Sequence, residues 1–430
     1  MKILPLILLL LFVAACTEDD FEDEATNNIN IHELVSNLPL VVIDVDWQDL
    51  SRNYVQASMK LIDQENKENQ ISSPEKWSGP INIKYRGSSS YRNPKKQFRI
   101  ETIDSKGKDK DIQFFDFPPG SDFVLNGPYV DRSLVRNKLA YKLWGEMGHY
   151  SVRSRYVEVI VLGHKSSEYR GVYLFTEKIK KDKNRIDVEK LKPSIVDSEE
   201  ITGGYIFALD HIDEGDQIIE TETTYIVKYP KKMNDQQNAY LQDYLKQLER
   251  AAAQGDGAKV DELLDIESIV DQMILREFAQ DYDAYHSSFF FSKNRGEKIK
   301  AGPAWDFNLA FGNHASIIDA SGWRWNARAS KLFQDLAQLD IIKAQFSKRW
   351  NELKDTTFSQ SYVDSSIDAL VDELGDGQKR NFQTWSAFHV KLIKEDYGVR
   401  EALSNGAFDV QIFFLKEWLK KRHQWISDNL

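Results

Sequence analysis

Two short apolar runs held between two acids constrain this chain more than anything else in it. Residues 281–291 read DYDAYHSSFFF and residues 298–313 read KIKAGPAWDFNLAFGN. The run from Ser288 to Phe291 has strand composition, Arg295-Gly296-Glu297 predicts a turn, and a second short strand breaks at Gly302-Pro303. Pairing the two strands returns their outer ends to one edge. Asp283 stands before the hairpin, and Asp306 and Asn308 follow it, so folding gathers both carboxylates at one mouth. Two acids with an amide beside them suit a site that handles Mg²⁺ and phosphate. The same pattern also describes a core hairpin with aromatic plugs and a capping aspartate, and the pattern alone does not choose.

The rest of the chain sorts itself around that hairpin. Before Pro230, strands are predicted at 38–46, 81–86, 96–101, 155–162, 170–177, 203–209 and 224–229, with one helix at 131–147 between Asp131 as N-cap and Gly148 as stop. Residues 62–79 and 180–200 read as polar loops. After Pro230 the period changes to that of helices, at 235–253, 257–280, 331–353, 361–374 and 408–427. The expectation is an α+β chain: a strand-rich N-terminal lobe over 31–230, a helical C-terminal lobe over 231–430 that carries the hairpin, and a cleft between them.

Ahead of the lobes, Met1-Lys2 precedes an apolar run, Ile3 to Val13, too short to span a bilayer. It closes on Ala14-Ala15-Cys16. Cys16 is the single cysteine, so no intramolecular disulfide forms. Val13 to Cys16 resembles the bacterial lipoprotein signal, in which cleavage leaves an acylated cysteine; an ordinary secretory signal is the other reading. The acidic, aperiodic residues 17–30 read as a linker, and they resemble the export tag that follows lipoprotein cysteines in Bacteroidetes-type bacteria. These features predict a signal peptide over 1–16 and a protein of the bacterial cell envelope, at the outer membrane or cell surface, that meets the membrane through its lipid anchor only.

A net charge of −11 excludes a general nucleic-acid binder and requires any anion site to be local. Residues 84–99 supply one: Lys84, Arg86, Arg92, Lys95, Lys96 and Arg99, with no acid among them. Gly87 and the serines after it add backbone and hydroxyl donors. Period two puts Lys96 on the face of Phe98 and Ile100, so it is expected to point inward and need an anion such as phosphate; Lys95 and Arg99 read as a solvated edge. Of Asp281 and Asp283, only one need face the site. In phosphoryl transfer of the kinase type, a loop acid orients the attacking hydroxyl, a side-chain oxygen a few residues on helps hold a metal, and a second acid beyond a hairpin holds the metals. Asp283, Ser288 and Asp306 stand in that order, and Asn308 offers a further oxygen.

RGSSSYRNPKKQFRIE (86–101), RGVYLFTEKIKKDKNRID (170–187), DAYHSSFFF (283–291) and GPAWDFNLAFGN (302–313) resemble the spore-coat protein H (CotH) kinase family, over roughly 80–315. The resemblance implies an atypical protein-kinase-like two-lobed fold that uses ATP with Mg²⁺ or Mn²⁺ to phosphorylate a protein. Carried over by motif, Lys96 resembles the ATP-phosphate lysine, Asp283 the catalytic-loop acid and Asp306 the metal acid. Arg86, Gly87 and Ser88 resemble the phosphate-covering loop, and Glu177 falls where a strand beside the nucleotide ends, able to line the adenine pocket or pair with a lysine. Ser288 stands where kinase-type folds usually carry asparagine, which puts the second metal position in question. The rival expectation is a kinase-shaped surface lipoprotein of weak activity that binds a glycan or protein partner through Trp-rich C-terminal residues such as Trp323 and Trp325. A carboxylate-pair glycosidase is a third. No HExxH zinc motif, nucleophile elbow or Walker loop occurs.

Overall fold

Apolar residues recur at every second position or more densely along Leu40–Asp44 (β1), Val55–Ile62 (β2), Trp77–Arg86 (β3), Gln97–Thr102 (β4), Asp122–Asn126 (β5), Ser154–His164 (β6) and Ser166–Glu177 (β7), giving each strand a face that must leave water. In the computed structural model, which describes residues 29–65, 68–164, 166–327, 329–385 and 407–430, these strands close into a barrel in the order β1-β2-β3-β4-β5-β7-β6. β1 and β6 run parallel, from Leu40↔Glu158 to Asp44↔Leu162; the other pairs are antiparallel. Ile81, Ile83, Phe98, Ile100, Phe123, Val159 and Phe175 fill the lumen. Phe114, from the loop before β5, plugs it with its ring 5.0 Å from Phe123 and 5.4 Å from Phe175. The lumen is a packed core, and ligands must use the outside. Cys16, the signal-like segment and most of the acidic linker lie outside the described residues.

A second sheet holds the hairpin. Tyr205–Leu209 (β8), Gln217–Glu220 (β9), Thr224–Tyr229 (β10), Phe289–Lys293 (β11) and Ile299–Ala301 (β12) pair in the order β12-β11-β8-β10-β9. β11 runs antiparallel to β8 from Phe289↔Leu209 to Lys293↔Tyr205. The sheet therefore crosses residue 230, where the sequence pattern turns from strands to helices. Phe207 and Phe291 stack at 5.3 Å on its apolar face.

The helices are Arg136–Glu146 (α1), Asp235–Ala253 (α2), Gly257–Leu263 (α3), Ile266–Ala279 (α4), Lys331–Leu336 (α5), Asp340–Leu353 (α6), Gln360–Leu374 (α7), Gly377–Thr384 (α8) and Ala407–Asp428 (α9). The helix expected over 257–280 is two, because Leu264 turns extended and the Asp265 side chain caps the next helix by accepting the Ser268 N–H. The one expected over 331–353 is likewise split, at Ala337–Leu339. The polar loop expected over 62–79 already contains the start of β3, and β2, β5, β9 and α8 lie outside the elements expected from the sequence. α1 begins later than expected. Asp131 still serves it, since its carboxylate accepts the Arg136 N–H at 2.9 Å and the Ser133 N–H at 3.0 Å.

Candidate active site

The hairpin does what its sequence requires. Phe291 pairs with Ala301, so Ser288 and Gly302 lie at the same end, and the Gly302 N–H closes it on the Phe290 carbonyl at 2.8 Å. The two acid-bearing loops are then joined by main chain: Tyr282 N–H to Leu309 O at 2.9 Å and Phe311 N–H to Ala279 O at 2.6 Å. Five non-glycine residues of these loops, Gln280, Tyr285, Ser288, Asp306 and Phe311, sit at positive φ, between 41° and 67°. Such backbone persists only where the surroundings enforce it.

Arg276 of α4 is the enforcing side chain. It is fully buried, ion-paired with buried Asp281, and donates to the carbonyls of Ser288 at 2.7 Å and Trp305 at 3.4 Å. Its guanidinium lies between the rings of Phe289 and Phe307, 5.0 and 4.9 Å from their centroids. One cation thus ties the helix, the acid loop, the start of β11 and the residue before Asp306. Burial pushes the Asp281 carboxyl up while Arg276 pulls it down. Asp281 in turn accepts the Asp283 N–H at 3.2 Å, which leaves the half-buried Asp283 carboxylate turned out, 3.6 Å from His286 Nε2. Of the two acids, Asp281 builds the loop and Asp283 is presented by it.

Asp306 is half-buried and makes no ion pair among the described residues. Its carboxyl is pushed up to about 6, first by burial, then by Asp283 and Asp210, against the pull of Arg86 and Arg276. Among the described residues its carboxylate is supported by a chain of amides. The Phe307 N–H donates to Asn137 Oδ1 at 2.6 Å, Asn137 Nδ2 donates to Asn308 Oδ1 at 2.7 Å, and Asn308 Nδ2 donates to Asp306 Oδ1. The backbone N–H at the head of the chain fixes every amide's orientation. Asn308, expected as a metal oxygen, therefore turns its nitrogen to Asp306, because α1 brings Asn137 against its oxygen. Asn137 was not anticipated from the sequence; neither was Asp210. β8 and β11 pair Leu209 with Phe289, so the next residues along, Asp210 and Ser288, stand opposite each other at the acid edge. Buried Arg136 pairs with Asp131 at 2.6 Å and donates to Ala310 O at 3.1 Å, so its charge is spent inside the fold.

The cation that faces Asp306 is Arg86, which also donates to Gln97 Oε1 at 2.5 Å and lies 5.8 Å from the Trp305 ring. Gly87 follows at φ +102°, where a Cβ would come within 2.1 Å of Ser90 Oγ, so the turn needs glycine. Ser88, exposed, heads the single 3-10 turn Ser89–Arg92. Lys96 is not brought to the acids. It is half-buried, donates to Tyr91 O at 2.7 Å and lies 4.8 Å from that ring; burial alone lowers its pKa. Lys95, read as a solvated edge, is the buried one. It donates to Val172 O at 2.5 Å and Asn381 Oδ1 at 2.6 Å, joining the barrel to α8. Glu177 is fully buried and takes up Tyr150 Oη at 2.9 Å, Arg153 at 3.0 Å and Arg185 at 2.8 Å, which leaves no carboxylate oxygen for an adenine pocket. Trp323 and Trp325 stack on each other at 4.4 Å and pack on Phe346, so their faces are spent on the protein itself.

No three His, Cys, Asp or Glu side chains converge as a metal cage among the described residues. Mg²⁺ bound with a nucleotide needs none, since one or two carboxylates suffice when phosphate oxygens and water complete the octahedron. Asp306, raised first by burial and then by neighbouring carboxylates and lacking an ion pair among the described residues, fits that demand, with Asp283 beside it.

Residues 83–426 match the family described as CotH kinase protein, so the likeness continues through the helical part beyond the motifs that end near residue 315. Inner spore coat protein H of Bacillus subtilis (strain 168) is 22% identical over 362 residues, covering 81% of this chain and 87% of that protein.

Proposed function

The chain belongs to the CotH kinase protein family, and on that premise we propose that it is a phosphotransferase of protein-kinase type, moving the γ-phosphate of ATP to a Ser or Thr hydroxyl of an extracytoplasmic protein. The observation that supports this best is the meeting of Asp283, Asp306 and Arg86 at one half-buried edge, held by Arg276 and by the amide chain from Asn137. The working cleft of a two-lobed, kinase-like arrangement would be the space between that edge and the barrel wall bearing Arg86. Mg²⁺ or Mn²⁺ held at Asp306 would neutralise charge on the phosphates of bound ATP. Asp283 accepts the acceptor's O–H hydrogen bond and aims its oxygen at the γ-phosphorus. A new P–O bond forms there, the bond to the β–γ bridging oxygen breaks, ADP leaves, and the hydroxyl proton passes to Asp283 Oδ or on to water. Arg86, rigid on its Gln97 contact, faces the charge that shifts.

Metal-dependent transfer of labelled phosphate from ATP to the protein itself, or to envelope extract, tests this. Asp283→Asn should lose at least a thousandfold in transfer with nucleotide affinity intact, and Asp306→Asn should lose metal-dependent nucleotide binding. Wild-type Mg-ATP affinity in Asp306→Asn would refute the assignment. Anchoring through Cys16 in the cell envelope belongs to the same proposal and rests on Val13 to Cys16 alone. Radiolabelled palmitate should enter the wild type and not Cys16→Ala; equal labelling would end that part.

A further inference from the structure

Beside Arg86, the outer wall of the barrel carries cations that the chemistry above leaves unused. Because Ile83, Phe98, Ile100, Phe123 and Phe175 fill the lumen, period two puts Lys84, Arg99, Asp122 and Lys178 outside. Lys84 is the cross-strand partner of Arg99, and Glu101 of Asp122; Phe123↔Glu177 sets Asp122 opposite Lys178. Both acids of this patch are already satisfied. Arg99 pairs with Glu101 at 2.8 Å and Asp122 at 3.0 Å, and Lys180 pairs with Asp122 at 2.9 Å. Lys84 and Lys178 remain. Among the described residues neither ammonium group makes an ion pair or hydrogen bond; that of Lys84 lies over the Tyr54 ring at 4.6 Å. Both are half-buried, and an ammonium taken partly out of water without a counter-ion is unfavourable.

This wall faces the acid edge. Arg86, two residues along β3 from Lys84 on the same outward face, acts on Asp306, and Asp213, in the loop after β8, acts on Lys84. Three strand spacings and a two-residue offset along the strands separate Lys84 from Lys178, about 16 Å at the backbone, a gap that two lysine side chains converging on Arg99 close around one anion. We propose that the outer wall of β3, β4, β5 and β7 is a polyphosphate-binding surface, in which Lys84, Arg99 and Lys178 hold the phosphate oxygens of a nucleoside polyphosphate whose reacting end lies at Asp306. The identity of the anion rests on the phosphotransferase reading; the surface itself does not.

Inorganic tripolyphosphate, titrated into the full chain in EDTA by calorimetry, separates the two. Wild type should bind it without metal. The double variant Lys84→Gln/Lys178→Gln should bind at least tenfold more weakly, Lys84→Arg/Lys178→Arg within threefold of wild type, and Lys96→Gln within twofold. Asp306→Asn should bind as well as wild type or better, since it removes a negative charge. Undiminished affinity in the glutamine pair overturns the surface and leaves Asp306 standing. If the arginine pair loses binding while melting normally, charge on the wall is not what holds the anion, and the proposal also fails. Weakening in the glutamine pair, in a protein that never transfers phosphate, keeps the surface and removes the kinase reading.

Discussion

Asp306→Asn should stabilise the metal-free protein while disabling it. The Asp306 carboxyl is raised from an ordinary 3.8 to about 6, so the folded chain holds this proton more tightly than the unfolded one. Stability from this group is therefore highest below pH 3.8, falls as pH rises from there to about 6, and stays low above. The full difference is about 3 kcal/mol at about 1.36 kcal/mol per pH unit; the half-buried setting reduces it to about 1–2 kcal/mol. Asparagine removes that penalty, still accepts from Asn308 through Oδ1, and tolerates the left-handed backbone at φ 61° better than most residues. With an unfolding entropy of about 2.1 cal/mol/K per residue, the variant should melt about 1–2 °C above wild type at pH 8 in EDTA, and the pH-dependent part of that gap should vanish near pH 4. Saturating Mg-ATP, at a hundredfold its Kd, should lift wild type by about 2.7 kcal/mol and leave the variant unmoved, reversing their order. A variant that melts lower at pH 8, or a gap that ignores pH, would refute the claim that Asp306 is held in electrostatic deficit.

Two further outcomes test the frame around the acids. Arg276→Met should lower stability by about 3–5 kcal/mol in urea unfolding, because it strands a buried Asp281 carboxylate, and adding Asp281→Leu should recover much of the loss; a single variant as stable as wild type would show that Arg276 is not the tie. Asn137→Ala leaves the Phe307 N–H without an acceptor and frees Asn308 to turn, which should cost about 1–3 kcal/mol and weaken Mn²⁺-nucleotide binding several-fold, read by calorimetry; unchanged affinity would mean that the amide chain does not set Asp306.

The hairpin and its two acids could be read from sequence because every step is local: strand, turn, strand, with the acids just beyond the ends. The same locality explains α2, whose 235–253 range carries its own capping box from Asn234 and Gln237. Asn137 and Asp210 could not be read that way. Each reaches the site through a tertiary contact, α1 against the 306–308 loop and β8 against β11, and neither leaves a trace in its own neighbourhood beyond a polar residue at the end or face of an element. Arg276 gave a weak signal at most, a lone arginine on an otherwise apolar helix face, which is what a cation paired inside a core looks like.

The basic stretch 84–99 shows where local reasoning turns misleading. Alternation told correctly that Lys96, Phe98 and Ile100 share a face, and in an open sheet an apolar face covered by another layer is where a working lysine would be buried. Closure into a barrel changes what that face means. It becomes the lumen, sealed by Phe98, Phe114 and Phe175, and Lys96 is left at the rim with the Tyr91 carbonyl. The opposite parity holds Lys84 and Arg86 on β3 with Arg99 on β4, and of these Arg99 reads in sequence as a solvated edge. Because the second sheet brings Asp210 and Asp306 up against that side, the wall that looked like surface is the one that can meet a ligand. Parity along a strand says which residues go together; only the closure of the sheet says which set faces the chemistry.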